Sequence, residues 1–178
     1  MNRKKLVTEM GRIDRDAFAH ADKLPLVVVL DNIRSLHNVG SVFRTGDAFR
    51  VERIMLCGIT ATPPSAEIHK TALGAEDVVD WQYFESTMDA VEQLCADGYK
   101  VFSIELCQDS IPLQKFPAKP GERYAVVLGN EVKGVQQAVV DASDGAIEIP
   151  QFGTKHSLNV SVTAGMVIWE FAKKQGLV

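Results

Sequence analysis

The sequence predicts an α/β fold: a single domain with a mostly parallel sheet and helices on both of its faces. Apolar runs alternate with helical patterns along almost the whole chain, which is typical of strands joined by helices in a parallel sheet. The run PLVVVLD, residues 25–31, is apolar at nearly every position, as expected for a parallel strand covered on both faces. No linker or internal repeat divides the 178 residues, a length that suits one domain.

The apolar runs and the capping residues place the individual elements. Five strands are expected, at residues 25–31, 52–59, 99–106, 123–130 and 146–150, and a further short strand is indicated within residues 77–84. Helices are expected at residues 38–50, at 66–74, at 87–98 between a Ser86 cap and Gly98, from about Val135, and from Ser157 to about residue 174. Residues 1–23 are expected to form an N-terminal helical extension, and residues 24–178 the main domain.

Composition excludes several classes of protein. The charged N-terminus lacks the apolar stretch of a signal peptide and no run is long enough to span a bilayer, so a soluble, cytoplasmic protein is expected. Three cysteines without a Cys-x-x-Cys pair predict buried free thiols, and four histidines without ligand spacing predict no metal site. The net charge of −4 does not itself indicate RNA binding, although the N-terminal segment is basic.

The C-terminal helix has an unusual composition. Its apolar residues lie nearly all round the helix, at Leu158, Val160, Val162, Met166, Val167, Ile168, Trp169 and Phe171. A helix that is apolar on every side is expected to be buried, and here the cover is either the rest of the domain or another subunit.

Three polar, glycine-containing segments follow predicted strands, at residues 32–44, 128–134 and 149–161. Ligands of open α/β sheets bind at the carboxyl ends of the strands, so these segments predict a ligand site. In the second segment Gly129 allows close approach of a backbone, while Asn130 and Glu131 supply an amide and a carboxylate. A plain strand-to-helix turn with a solvated acid is the alternative for that segment.

The third segment contains two polar residues at the start of the terminal helix. Ser157 is the expected cap, which places Asn159 inside the first turn of an otherwise apolar helix. An unpaired buried amide costs about 1–3 kcal/mol, so Asn159 is expected to have a fixed partner, either structural or a substrate.

Familiar cofactor motifs do not identify the ligand. No G-x-G-x-x-G follows a strand, and the P-loop pattern G-x-x-x-x-G-K-[ST] is absent. No serine, histidine and acid form a nucleophile-elbow pattern. The residues alone therefore predict a site built from three loops and leave its ligand open.

The same three segments resemble the signature motifs of a known family. NVGSVFRT (38–45), LGNEVKGV (128–135) and IPQFGTKHSLNVSVTAG (149–165) are similar, in order and spacing, to those of the SpoU (TrmH-type) RNA ribose methyltransferases of the SPOUT superfamily. HKTALGAE (69–76) also resembles the family's K-[ST]-A-x-G-A segment. The resemblance extends from about Leu26 to Glu170.

The resemblance implies a reaction, a fold and a cofactor. Members of the family transfer a methyl group from S-adenosylmethionine to a ribose 2′-hydroxyl of tRNA or rRNA, without a metal. They work as homodimers, and their C-terminal segment forms a deep trefoil knot. The cofactor-binding residues carried over to this chain are Leu128, Gly129, Ile149 and Leu158, with Gly134 and Pro150 shaping the walls.

The family's functional polar positions match Asn38, Arg44, Glu131, Ser157 and Asn159. The arginine is discussed in the family as the base that activates the ribose. Because a guanidinium group gives up its proton with difficulty, our hypothesis is that Arg44 binds the adjacent phosphate and lowers the pKa of the 2′-hydroxyl. Glu131 and Asn159 are expected to orient Arg44 and the cofactor. If residues 38–44 are helical, Asn38 and Arg44 lie about 9 Å apart along the helix axis.

The substrate and two alternatives remain open from the sequence. Many rRNA-directed relatives carry an RNA-recognition domain before the first motif, whereas only some 25 residues precede it here, which favours tRNA over rRNA. One alternative is a non-catalytic RNA-binding module of the same fold. The other is a SPOUT enzyme that methylates a base nitrogen.

Overall fold

The structure is a computed structural model that describes residues 2–178. Its centre is a seven-stranded sheet in which every ladder between strands is parallel. The strands are β1 (Leu24–Asp31), β2 (Val51–Cys57), β3 (Trp81–Phe84), β4 (Lys100–Ile104), β5 (Ile111–Pro112), β6 (Tyr124–Leu128) and β7 (Gly145–Glu148). Their order across the sheet is β3-β2-β1-β6-β4-β7-β5. The six predicted strands are confirmed, whereas the two-residue β5 was not predicted.

The described residues contain six α-helices, of which the first precedes β1 and the last follows β7. They are α1 (Arg15–His20), α2 (Leu36–Ala48), α3 (Ala66–Ala72), α4 (Thr87–Ala96), α5 (Gln137–Ala142) and α6 (Val160–Lys174). Three short 3₁₀ turns lie at Val7–Glu9, Ala75–Asp77 and Leu113–Lys115. Ser86 caps α4 as predicted, because its side chain accepts a hydrogen bond from the backbone N–H of Met88.

The two faces of the sheet carry separate hydrophobic cores. Alternate residues of β1 point to opposite faces, so Leu26 and Val28 pack with α2, α3 and α6, while Val27 and Val29 pack with α4 and α5. The prediction of helices on both faces is confirmed. The trefoil knot and the division of the chain at residue 24 stay predictions.

The glycine of the first polar segment is explained by packing. A Cβ atom on Gly40 would lie 2.2 Å from the backbone oxygen of Ile68 and 2.2 Å from Oγ1 of Thr71, so a side chain at this position would separate α2 from α3. Thr71 also donates a hydrogen bond from Oγ1 to the backbone oxygen of His37, at 2.9 Å. Close packing of the two helices therefore fixes the position of α2.

The terminal helix departs from its prediction in two ways. It begins at Val160 and not at Ser157, and Asn159 is the N-cap, since its Oδ1 accepts hydrogen bonds from the backbone N–H groups of the first turn. One face is buried in the core, but Val162, Met166 and Trp169 remain 51%, 42% and 49% exposed. Burial of the whole helix by its own domain is therefore wrong, and cover by another subunit stays a prediction.

Two smaller expectations also need correction. Within the described N-terminal residues 2–23, only Arg15–His20 is α-helical. Cys57 is buried, and this burial raises the pKa of its thiol to about 12, but Cys107 is only partly buried and Cys95 is exposed. Within residues 2–178, no helix is long and apolar enough to cross a membrane.

We predict that Gly40→Ala lowers the free energy of unfolding by about 1–3 kcal/mol, because the added methyl group overpacks the interface between α2 and α3. The matched control is Gly46→Ala in the same helix, where the new Cβ would meet its nearest neighbour, Ile54, at 3.4 Å. That change is expected to raise the free energy of unfolding by about 0.5–1 kcal/mol. Urea denaturation measures both, and equal effects of the two substitutions would contradict the packing argument.

Candidate functional site

The three polar segments meet because of the register of the sheet. Leu128 at the end of β6 lies beside Leu30 of β1 on one side and beside Ile104 of β4 on the other. Ile104 in turn pairs with Ile147 of β7. The connections after these four strands therefore leave the sheet at the same edge, which is the expected position of a ligand site.

A cavity of about 480 Å³ opens between these connections. Seven of the predicted site residues line it, namely Leu128, Gly129, Glu131, Gly134, Ile149, Ser157 and Leu158. Five of these seven were predicted to bind the cofactor. Pro150 follows Ile149 at the rim without lining the cavity.

The loop between β6 and α5 is a closed turn that needs two glycines. The backbone groups of Asn130 and Gly134 exchange hydrogen bonds of 3.0 and 2.9 Å, and Gly134 has a φ of +70°. A Cβ atom on Gly129 would lie 2.1 Å from the backbone nitrogen of Val135, inside the turn. Glycine at both positions lets the backbone itself form a wall of the cavity.

Two carboxylates at the ends of β1 and β4, the strands on either side of β6, fasten the end of this turn. Asp31, fully buried at the end of β1, accepts hydrogen bonds from the backbone N–H of Gln136 at 3.0 Å and from its Nε2 at 2.7 Å. It also accepts bonds from Thr87 and Asn32 at 2.7 and 2.8 Å. Glu105, just after β4, accepts a bond from the backbone N–H of Val135 at 3.0 Å. Sequence reasoning missed both roles, although an aspartate ending an apolar strand is a usable signal.

Glu131 links the second motif to the first. Its two carboxylate oxygens accept hydrogen bonds from the backbone N–H groups of Arg34 and Ser35, each at 3.0 Å, just before α2 begins. The amide of Asn38 donates a weaker bond at 3.4 Å. Partial burial raises the pKa of Glu131, but the backbone N–H donors outweigh it and hold the pKa below the usual value of 4.5. The carboxylate is therefore ionised and engaged in positioning.

Asn38 and Asn159 complete a chain of polar contacts across all three motifs. Nδ2 of Asn159 donates to Oδ1 of Asn38 at 3.2 Å, while Oδ1 of Asn159 caps α6. The fixed partner expected for Asn159 is thus structural, but the expectation of a buried position is wrong because Asn159 is exposed. The structure brings Glu131, Asn38 and Asn159 together. Ser157 lines the cavity as an exposed residue and is not a helix cap.

Arg44 does not reach this cavity within one chain. Residues 38–44 are helical as expected, which puts Arg44 about 9 Å along the axis from Asn38. The side chain is exposed and lines a different cavity, next to the N-terminal segment. Among the described residues Arg44 has no ion-pair or side-chain hydrogen-bond partner.

The cavity is not lined by a metal-binding cluster. Across residues 2–178, no three or more histidine, cysteine, aspartate or glutamate side chains lie together in a way that could hold a metal ion.

We predict that Glu131→Gln lowers the free energy of unfolding at pH 7 by about 0.5–1 kcal/mol, a small value because the group is exposed to solvent. The folded pKa lies below the usual 4.5, so this stabilisation is complete above pH 4.5 and is lost as the pH falls through the folded value. Urea denaturation at a series of pH values should show the two proteins converging in acid. A difference that grows in acid would contradict the assignment.

Known protein families and relatives agree with this arrangement of motifs. A model of the SpoU rRNA Methylase family matches residues 25–169. The 23S rRNA (guanosine-2′-O-)-methyltransferase RlmB of Neisseria meningitidis serogroup B is 28% identical over 162 residues, covering 91% of this chain and 64% of the relative. The RlmB protein of Nitrosomonas europaea is 32% identical over 149 residues, covering 82% of this chain and 55% of the relative. The chain thus spans less than two thirds of the length of these two relatives.

Solved structures show the same fold. The A. aeolicus TrmH/SpoU tRNA modifying enzyme superposes with a TM-score of 0.79 at 23% identity, covering 92% of this chain and 81% of the other. An AdoMet-bound rRNA methyltransferase from Sinorhizobium meliloti gives a TM-score of 0.77 at 24% identity, covering 85% and 60%. At these identities the likeness establishes the fold alone. The family match extends over most of the 178 residues, and the chain belongs to the SpoU rRNA Methylase family.

Proposed function

We propose that this protein transfers a methyl group from S-adenosylmethionine to a ribose 2′-hydroxyl of RNA. The observation that carries the proposal is the polar chain Glu131–Asn38–Asn159, which joins the three family motifs. Glu131 lines the cavity, whereas Asn38 and Asn159 are linked to it through Glu131 and do not line it. Membership in the family and relatives named as guanosine-2′-O-methyltransferases support the reaction class.

The cavity suits the proposed cofactor in shape and charge. Gly129 and Gly134 bring backbone close to a ligand, and Leu128, Ile149 and Leu158 supply apolar surface for an adenosine. Three carboxylates, those of Glu105, Glu131 and Glu148, line the same cavity against the one ammonium group of Lys133, and this excess of negative charge favours a ligand with positive charge. When bound, S-adenosylmethionine supplies an electrophilic methyl group on a sulfonium, which is such a positive charge.

The side chains around the cavity have separate roles in the proposed reaction. Both oxygens of Glu131 are engaged by backbone N–H groups, so Glu131 orients Asn38 rather than removing a proton. Asn38 and Asn159 hold the ribose in line with the methyl group, which contributes through positioning. Arg44 of the partner protomer binds the phosphate next to that ribose and stabilises the developing alkoxide at the 2′-oxygen, whose proton passes to solvent water.

The substrate class needs a direct comparison. The sequence favours tRNA over rRNA, while the named relatives include proteins acting on 23S rRNA and a tRNA modifying enzyme. We therefore propose an RNA substrate with tRNA as the expected class and rRNA as the class tested beside it. Because tRNA and rRNA are cytoplasmic in bacteria, the proposed reaction takes place in the cytoplasm.

A homodimer accounts for the exposed face of α6. Val162, Met166 and Trp169 form an apolar strip that continues onto Phe49, whose ring meets that of Trp169 edge to face at 5.7 Å. A second copy of this chain is the proposed cover, in line with the homodimers of the family that the sequence resembles. Pairing also provides a route by which Arg44 of one protomer serves the cavity of the other. A sedimentation mass equal to one 19.5-kDa chain would contradict the dimer.

Arg44→Ala is expected to lower kcat/KM for RNA methylation at least about 100-fold, because the variant no longer stabilises the ribose phosphate in the transition state. Arg44→Lys should restore only part of the activity, since lysine lacks the planar pair of donors. The assay follows tritium from S-adenosylmethionine into total tRNA and, separately, ribosomal RNA, with digestion to 2′-O-methyl nucleosides. Arg53→Ala in β2, outside the cavity, is the matched control.

The same assay separates the alternatives. Label on a base nitrogen would indicate the base-methylating reaction. Binding of RNA without measurable binding of S-adenosylmethionine would assign the chain to the non-catalytic module, an alternative favoured by the position of Arg44 outside the cavity of its own chain. Full activity in Arg44→Lys would contradict any role that depends on the guanidinium geometry.

A further inference from the structure

A second cavity, of about 940 Å³, lies between the N-terminal segment and the C-terminal half of α2. Its walls are Met10–Arg15, Arg44, Asp47, Arg50 and Leu73–Gly74, which we call the basic groove. The three family motifs contribute only Arg44 to it. The N-terminal residues that form one wall lie before the region matched by the family model, which starts at residue 25.

The groove concentrates positive charge in an acidic protein. Four arginines line it, Arg12, Arg15, Arg44 and Arg50, while the whole chain has a net charge of −4. Two of the lining residues are aspartates, and Asp14 is engaged as the N-cap of α1. Arg15 is paired with Asp77 at 2.9 Å. In the described part of the chain the other three arginines form no ion pair, so their charge is available to an anionic ligand.

Apolar side chains lie between these arginines. Met10, Ile13 and Leu73 line the groove and are exposed, although large apolar side chains are normally buried. Guanidinium groups bind phosphates through paired N–H donors, and exposed apolar side chains accept the faces of bases or riboses. The combination suits a chain of nucleotides better than a free inorganic anion.

Helix α2 runs between the basic groove and the first cavity, the one between the three family motifs. Asn38 near its start contacts Asn159 and the cavity-lining Glu131, whereas Arg44 and Asp47 near its end line the groove. The axial distance from Asn38 to Arg44 is about 9 Å. Six residues also turn the helix through about 240°, so the groove lies on another side of α2 from Asn38, and an RNA strand whose ribose sits at Asn38 reaches the groove by passing around the helix.

We propose that the basic groove binds the RNA phosphodiester backbone next to the methylated nucleotide. This inference rests on the proposed function and adds a substrate-binding role for Arg12 and Arg50, which no family motif contains. The segment Met10–Arg15 then acts as one wall of the RNA site, and Arg44 serves both the groove and the reaction.

The test uses the full chain with Arg12→Ala and Arg50→Asn combined. Asparagine replaces Arg50 because this residue has a φ of +50°, which asparagine tolerates well. The matched control is Lys115→Ala with Lys119→Ala, which removes the same charge from the connection between β5 and β6. The probes are S-adenosylmethionine, total tRNA, ribosomal RNA and a short labelled single-stranded RNA.

The groove variant is expected to raise the KM for RNA about ten-fold, with kcat and the Kd for S-adenosylmethionine unchanged. The slope of log Kd against log salt for the labelled RNA should decrease by about 0.7 for each phosphate that the variant no longer neutralises. The lysine control should change neither the KM for RNA nor the salt slope. If the double variant folds poorly, Arg12→Ala alone, at an exposed position, should raise the KM for RNA and lower the salt slope by smaller amounts.

Three results would overturn the groove assignment. They are an unchanged KM and salt slope in the groove variant, an equal weakening of RNA binding in the lysine control, and absence of RNA binding by the unmodified protein. A shift of the groove variant to a smaller oligomer with unchanged RNA binding would instead assign the groove to pairing between copies. Methyl transfer by the unmodified protein reports on the proposed function separately, so failure of one proposal is distinguishable from failure of the other.

Discussion

The site depends on how the turn between β6 and α5 is held. This turn has glycine at two positions where its backbone forms the cavity wall, and glycine-containing segments have little stiffness of their own. Carboxylates supply the stiffness: Asp31 and Glu105 fasten the end of the turn to β1 and β4, and Glu131 fastens its middle to the start of α2. Because each bond has a charged acceptor, each is stronger than a neutral one. The arrangement couples the cavity wall to Asn38.

The order of strands and helices could be predicted from the sequence because each element buries a clear pattern of apolar residues. The run at 25–31 gave β1 to within one residue, since its two faces both meet helices. The pair Ile111–Pro112 could not be predicted, because two residues carry no periodicity. The start of α6 was misplaced because Ser157 and Asn159 are both good caps, and the sequence does not show that Asn159 caps the helix while its amide also donates to Asn38.

The candidate site was predictable only as a set of motifs. The positions of the three segments after predicted strands indicated that they meet, and the family resemblance then assigned Leu128, Gly129 and Ile149, which line the cavity. It could not show that Arg44 faces away from the cavity of its own chain, because this depends on which side of α2 packs against α3 and α6. Nor could it show that Asp31 holds Gln136, since the two lie 105 residues apart and no motif joins them.

The most direct test of the carboxylate-fastened turn is the Kd of S-adenosylmethionine for Asp31→Asn, measured by titration calorimetry. Oδ1 of Asp31 accepts three of its four hydrogen bonds, and Oδ2 accepts the bond from the backbone N–H of Gln136. An asparagine can keep the three bonds to Oδ1, but its N–H₂ group replaces Oδ2 and faces the backbone N–H of Gln136, so that bond is lost. Asp97→Asn, at the exposed end of α4, is the control. The account predicts a Kd raised about ten-fold by Asp31→Asn alone. An unchanged Kd in a folded Asp31→Asn protein would contradict it.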